Sequence, residues 1–112
     1  KHNRASVILA LYEFISRDPT PTAADYQSRG YAHYMLNEFH RAINNLTEAI
    51  LIEPTSTRFE LRGASYYYSG IDIHKVQYQK ALSDFKQARR MNSTSNLIEW
   101  SSATYSKLDQ FD

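Results

Sequence analysis

Apolar positions recur along this chain at helical spacing. Between residues 23 and 35, Tyr26, Gly30, His33 and Tyr34 recur at spacings of three and four, and Phe39, Ala42, Ile43, Leu46, Ala49 and Ile50 do so in the next stretch. A period near 3.6 predicts one buried stripe on each of two amphipathic helices. Asn37-Glu38 supplies a turn between them, and Glu53-Pro54-Thr55 ends the second, because proline cannot donate a backbone N–H. Upstream, Val7, Leu11 and Ile15 share a face with Ile8 and Tyr12. With Asn3 and Ser6 as candidate caps and Asp18-Pro19 as terminator, they predict a further helix over 3–18.

The helices come in copies. Arg29-Gly30-Tyr31-Ala32-His33-Tyr34 returns as Arg62-Gly63-Ala64-Ser65-Tyr66-Tyr67, displaced by 33 positions, and Tyr26 moves to Phe59 in the same way. Phe39-His40-Arg41-Ala42-Ile43 returns as Tyr78-Gln79-Lys80-Ala81-Leu82, displaced by 39, which also carries Leu46 to Phe85 and Ala49 to Ala88. The second copy therefore holds six extra residues, around Ser69-Gly70-Ile71-Asp72-Ile73-His74-Lys75. Insertions in repeats tend to cluster on binding faces, so this one reads either as a lip that touches a partner or as a lengthened turn with an isoleucine tucked over the copy. A third half-copy follows, with Ile98, Tyr105 and Phe111 standing for Phe59, Tyr66 and Tyr78. Its last residues, Lys107 to Asp112, echo Met35 to His40, and the sequence stops as a second helix would begin. With Lys1 in place of an initiator Met, it reads as a piece of a longer chain. The N-terminal helix, whose Arg17-Asp18-Pro19-Thr20 parallels Ile52-Glu53-Pro54-Thr55, is expected to be a cap or the degenerate second helix of a preceding copy.

Helices of about 13 residues are marginal alone, so each must bury its stripe against neighbours. Gly30 and Ala42 are expected to let the two helices of a copy approach closely, and Ala49 to do the same toward the next copy. An aromatic early, a glycine midway, alanine twice in the second helix and proline after it make a unit that resembles the tetratricopeptide repeat. In the first copy the resemblance is carried by Tyr26, Gly30, Phe39, Ala42, Ala49 and Pro54. In the second it is carried by Phe59, Gly63, Tyr66, Tyr78, Ala81 and Ala88, with Ser93 where proline is usual.

The resemblance implies an all-α fold, an α-α superhelix built as a right-handed solenoid of antiparallel helix pairs, with about six helices in one domain. Its parts are 3–18 as a capping or partial-repeat helix, 23–56 as repeat one, 57–94 as repeat two with its insertion near 69–75, and 95–112 as the first helix of a truncated third repeat or a cap. It also implies that the first helices line a concave surface holding a segment of another protein. Helical spacing would turn Gln27, Tyr31, Tyr34 and Met35 to that side, then Glu60, Ala64, Tyr67 and Tyr68, then Glu99, Ala103 and Lys107. Such a wall, aromatic with carboxylates, favours a ligand with apolar and basic groups. Repeats of this family that grip the terminal carboxylate of heat-shock chaperones use a Lys and an Asn four apart in the first helix, and another Asn in the next copy. Gln27, Tyr31 and Leu61 stand at those places here, so a chaperone C-terminal tail is not the expected ligand.

Composition narrows the chemistry. The 112 residues carry thirteen Lys and Arg against twelve Asp and Glu, a net charge of +1 that implies neither a nucleic-acid nor a membrane partner. The basic cluster Lys86, Arg89, Arg90 sits where a helix is expected to end, and cations there complement the helix dipole. The longest apolar runs, Val7 to Tyr12 and Ala49 to Ile52, are too short to span a bilayer. Without cysteine there is no disulfide, thiolate zinc site or thiol nucleophile, which suits the cytoplasm. His2, His33, His40 and His74 show no ligand spacing, and no Gly-x-Ser-x-Gly or glycine-rich phosphate loop occurs, so no metal, cofactor or catalysis is expected. Asn45-Leu46-Thr47 and Asn92-Ser93-Thr94 are glycosylation sequons with meaning only in a secreted chain. The expected function is a non-catalytic protein–protein interaction module within an adaptor or scaffold. The alternatives are a structural or self-associating segment of a longer helical-repeat scaffold, and a regulatory segment of a fused enzyme.

Overall fold

The computed structural model describes residues 19–70, 75–92 and 95–111, together with positions 7, 8, 10 and 13; for 95–98 only the backbone is described. Most of the expected helix over 3–18, the insertion residues 71–74 and Ser93 lie outside the described residues. Among the described residues there are no strands. Five helices follow in order: α1 (Ala23–Met35), α2 (Phe39–Ile52), α3 (Ser56–Ser69), α4 (Lys75–Met91) and α5 (Ser95–Asp109). The four described N-terminal positions are also helical.

Local chemistry sets the helix ends, and it repeats. Thr22 caps α1 by accepting from the Asp25 N–H at 3.1 Å, while the Asp25 carboxylate accepts from the Thr22 N–H at 2.9 Å. Reciprocal bonds of this kind satisfy two backbone donors that the helix itself cannot. Thr55 caps α3 in the same way through the Arg58 N–H, but with arginine at the third position the return bond is lost. Between α1 and α2 the chain turns at Asn37, whose φ of 63° is a left-handed conformation that asparagine tolerates better than most residues. Glu38, the residue before α2, makes no side-chain cap there, because its carboxylate is engaged by the His33 Nδ1 at 2.7 Å. That contact and the Glu38 N–H to His33 carbonyl bond at 2.8 Å close the turn on itself.

Within each copy a bulky side chain of the second helix sits on a glycine of the first. A Cβ on Gly30 would lie 2.8 Å from Leu46 Cγ, and a Cβ on Gly63 would lie 2.7 Å from Phe85 Cε1. Leu46 and Phe85 are equivalent residues, as are Gly30 and Gly63, so the same seat is built twice. Ala42, Leu46, Ala49, Ala81, Phe85 and Ala88 are all inaccessible to solvent. The register extends to α5, where Thr104 is equivalent to Ala32 and Ser65, and all three are buried. Ser65 and Thr104 hide their hydroxyls by donating to the carbonyls of Leu61 and Trp100, four residues earlier.

The helices are arranged in series. Each packs on its chain neighbour; beyond neighbours, the backbones of α1 and α3, and of α3 and α5, come close, whereas those of α2 and α4 do not. Odd-numbered helices thus converge while even-numbered ones splay, which curves the stack with α1, α3 and α5 on its inner side. The radius of gyration, 14.4 Å over extents of 45 × 30 × 23 Å, exceeds the roughly 13 Å of a compact chain of this length.

At Gly63, helix propensity favours alanine by about 1 kcal/mol. The Phe85 ring opposes it, held between Gly63 and the stacked ring of Trp100 at 5.2 Å, so it has no room to withdraw. Overpacking of about 1–3 kcal/mol therefore wins. Gly63→Ala is expected to lower the melting temperature by several degrees, and adding Phe85→Leu to recover much of that loss in a calorimetric scan. Ala42→Trp and Ala81→Trp, with no such relief available, are expected to abolish the cooperative transition.

Candidate partner-binding face

Aromatic rings connect the inner side of the stack from one end to the other. Tyr31 stacks on Tyr34 within α1 at 6.4 Å, Tyr34 meets Tyr68 of α3 at 6.2 Å, and Tyr68 meets Trp100 of α5 edge-on at 5.7 Å. Branches run into the even-numbered helices. Phe39 of α2 stacks on Tyr68 at 5.7 Å, Tyr78 of α4 meets Tyr67 at 5.4 Å, and Phe85 stacks on Trp100. Phe111, just past α5, leans on Tyr78 at 6.1 Å. Centroids 5–6.5 Å apart in stacked or edge-on geometry are the favoured arrangements for such rings.

These residues divide into two kinds. Tyr31 and Tyr68 are exposed, at 44% and 37% of their surface, and Tyr34 beside them is half-buried. Tyr67, expected on the wall, is half-buried between Tyr68, Tyr78 and Trp100 and works mainly as packing. Ala64 is a correction: it is 3% exposed and packs in a cluster with Ala81, Phe85 and Ala88, so it offers no surface to a ligand. Its place on α3 is covered by the bulky rings around it. Met35, Ala103 and Lys107 are half-buried, and Glu99 is exposed.

Gln27 is already engaged. Its side-chain oxygen accepts from Arg58 Nε at 2.7 Å, and Arg58, almost fully buried, also donates to the Glu53 carbonyl at 2.7 Å. The pair ties α1 to α3. Glu60, two residues further along, is different. It is half-buried and has no hydrogen-bond or ion-pair partner among the described residues, and burial raises its pKa above the ordinary glutamate value. The Tyr34 hydroxyl is likewise raised by burial, then by Tyr68, Tyr31 and Glu60 around it. Acceptor oxygens and ring faces therefore gather where α1 and α3 meet. A cation would meet an attractive field there, since ring faces and carboxylates both draw positive charge.

Sequence reasoning missed Trp100 and the ion pair behind the wall. Trp100 is equivalent to Leu61 and Ser28, so no repeated aromatic flagged it; its being the sole tryptophan is the available signal. Arg62 of α3 grips Asp84 of α4 with two bonds of 2.8 Å and donates a third, at 3.1 Å, to the Thr47 hydroxyl of α2. Three helices meet in this latch. His33, for which spacing gave no ligand role, is buried and paired with Glu38. No group of three metal-ligating side chains occurs among the described residues, and none of their helices is long and apolar enough to cross a membrane. An open surface hollow of about 410 Å3, lined by Asn37 to Arg41 and by Ser69, lies at the α1–α2 turn and shares none of the expected wall residues.

Burial raises the Asp84 pKa, with Arg62 pulling it the other way, while the hydrogen bond to Asp84 raises Arg62. The pair thus favours the guanidinium but does not fully offset desolvation of the carboxylate, and its main contribution is alignment. The native state holds the Asp84 proton more tightly than the unfolded chain does. The stability from that proton is complete below the unfolded pKa and is lost as pH rises through the native one. Arg62→Met leaves the carboxylate uncompensated and is expected to cost about 3 kcal/mol at neutral pH. The deficit should shrink on acidification, because the Asp84 carboxyl, raised by burial, then takes up a proton; urea unfolding at neutral and at acidic pH measures it, and a pH-independent deficit would contradict the assignment. In comparisons with known proteins, no family model, no curated protein and no solved structure matches this chain.

Proposed function

We propose that this chain is a non-catalytic interaction module whose α1, α3 and α5 side holds a segment of a partner protein. The observation that carries the reading is Glu60: a half-buried carboxylate without a pairing partner among the described residues, close enough to Tyr34 to act on its hydroxyl, with Tyr34 in turn meeting the exposed rings of Tyr31 and Tyr68. A side chain kept in this condition costs stability in the free protein, and a ligand cation would relieve the cost. Tyrosine supports the reading further, since it offers a large apolar face and a hydroxyl at little conformational cost. The ligand is a peptide segment with aliphatic or aromatic side chains beside a lysine or arginine.

The convergence of α1, α3 and α5 supports a concave placement of this face, as the resemblance to tetratricopeptide repeats implies. Repeats of that family, an adaptor or scaffold as parent protein, and a cytoplasmic setting in keeping with the lack of cysteine belong to the same proposal.

A displayed library of random peptides panned on the chain tests it. Selected sequences should be enriched in a basic residue next to apolar ones and bind in the micromolar range or tighter. Tyr31→Ala/Glu60→Gln, which leaves the glycine seats and the Arg62–Asp84 latch intact, should weaken them about tenfold by fluorescence anisotropy. Peptides that bind the double variant as well as the parent would refute the face.

A further inference from the structure

The opposite side of the stack has its own charge pattern. On α4 the sole acidic residue, Asp84, is buried against Arg62, so the exposed arc of this helix carries no carboxylate. It does carry Lys80, Lys86, Arg89 and Arg90, all exposed and none ion-paired with a carboxylate among the described residues. The chain as a whole is nearly neutral, so this is segregation of charge rather than excess.

The cations are held in place by neutral groups. Lys80 lies over the Tyr66 ring of α3 at 5.6 Å, at one edge of the arc. Lys86 lies over the Tyr105 ring of α5 at 5.8 Å, roughly 120° around the helix on the side toward α5. Between them the Arg90 guanidinium is oriented by the Gln87 side-chain oxygen, which accepts from both Nε and Nη2. Ring faces and an amide fix position without neutralising charge. Helix stability does not account for the pattern. The dipole favours Arg89 and Arg90 in the last turn, yet the first turn has no acidic residue and begins with Lys75, and the sole i,i+4 carboxylate, Asp84 after Lys80, is buried and bound by Arg62. Exposed Val76 and Met91 stand near the two ends, at 56% and 42%.

We propose that the outer face of α4 is a second docking surface, for an acidic amphipathic helix of a partner protein. Its carboxylates would meet a line of cations that runs about 15 Å from Lys80 to Arg90, and its apolar side chains would meet Val76 and Met91. Nucleic acid would make no use of the apolar ends, and the two rings nearest the arc already carry lysines. Two exposed aliphatic side chains are too few to insert into a lipid surface.

The test uses the whole chain and three probes: a synthetic helical peptide with glutamate and leucine on alternate turns, a short DNA duplex, and vesicles of phosphatidylserine in phosphatidylcholine. At about physiological ionic strength the acidic peptide should bind most tightly. Lys86→Gln/Arg90→Gln should weaken it about tenfold, while Arg17→Gln/Arg41→Gln, which removes the same charge outside α4, should change it less than about twofold. Circular dichroism confirms that both variants remain helical. Equal losses from the two variants would reduce the effect to net charge and overturn the proposal. Tighter binding of the duplex or the vesicles would overturn it in favour of that ligand, and failure of the peptide to bind would overturn it outright.

Discussion

A large side chain resting on a glycine is the contact from which this architecture follows. Leu46 on Gly30 and Phe85 on Gly63 bring paired helices close enough for the flanking alanines to bury completely. Each helix has 13 to 17 residues, too few to be stable alone, so the burial gained at these seats is what makes them helices at all. Because the seat recurs at a fixed register, pairs add in a line and not around one centre. The inner side then becomes a surface that no single helix could supply.

Aromatic rings and two polar ties join one pair to the next. The chain of rings from Tyr31 through Tyr34 and Tyr68 to Trp100 spans three helices along that inner side. Behind it, Arg58 joins Gln27 of α1 to the end of α2, and Arg62 joins α3 to α4 and α2. These bonds add direction more than stability, since buried charges barely offset their lost hydration. Burial also sorts the acids. Among the described residues, Asp84 and Glu38 face internal partners, Glu60 meets no cation on the inner side, and Lys80, Lys86, Arg89 and Arg90 meet no carboxylate on the outer side.

Periodicity made the helices legible, and the shifts of 33 and 39 located the glycine seats and alanine contacts, because close packing tolerates few residue types there. The α1–α2 turn at Asn37 and Glu38 was legible for a similar reason. Ala64 was misjudged because spacing alone assigns faces without knowing how far neighbouring rings reach; Tyr34, Tyr67 and Trp100 surround its cluster. Trp100 and Asp84 were invisible to repeat logic, since Leu61 and Asn45 occupy their places in the preceding copies. Long-range pairs such as Arg62–Asp84 depend on how helices are set against each other, which local pattern does not encode.

The central claim is that stability is assembled in series, with α3 as the helix that touches every other. Hydrogen exchange resolved by residue tests it most directly. The slowest amides should lie in α3 and the facing part of α4, with protection falling stepwise toward α1 and α5, as expected when each unit leans only on those beside it. Slowest exchange in α1 or α5, or one uniform rate across all five helices, would contradict the account.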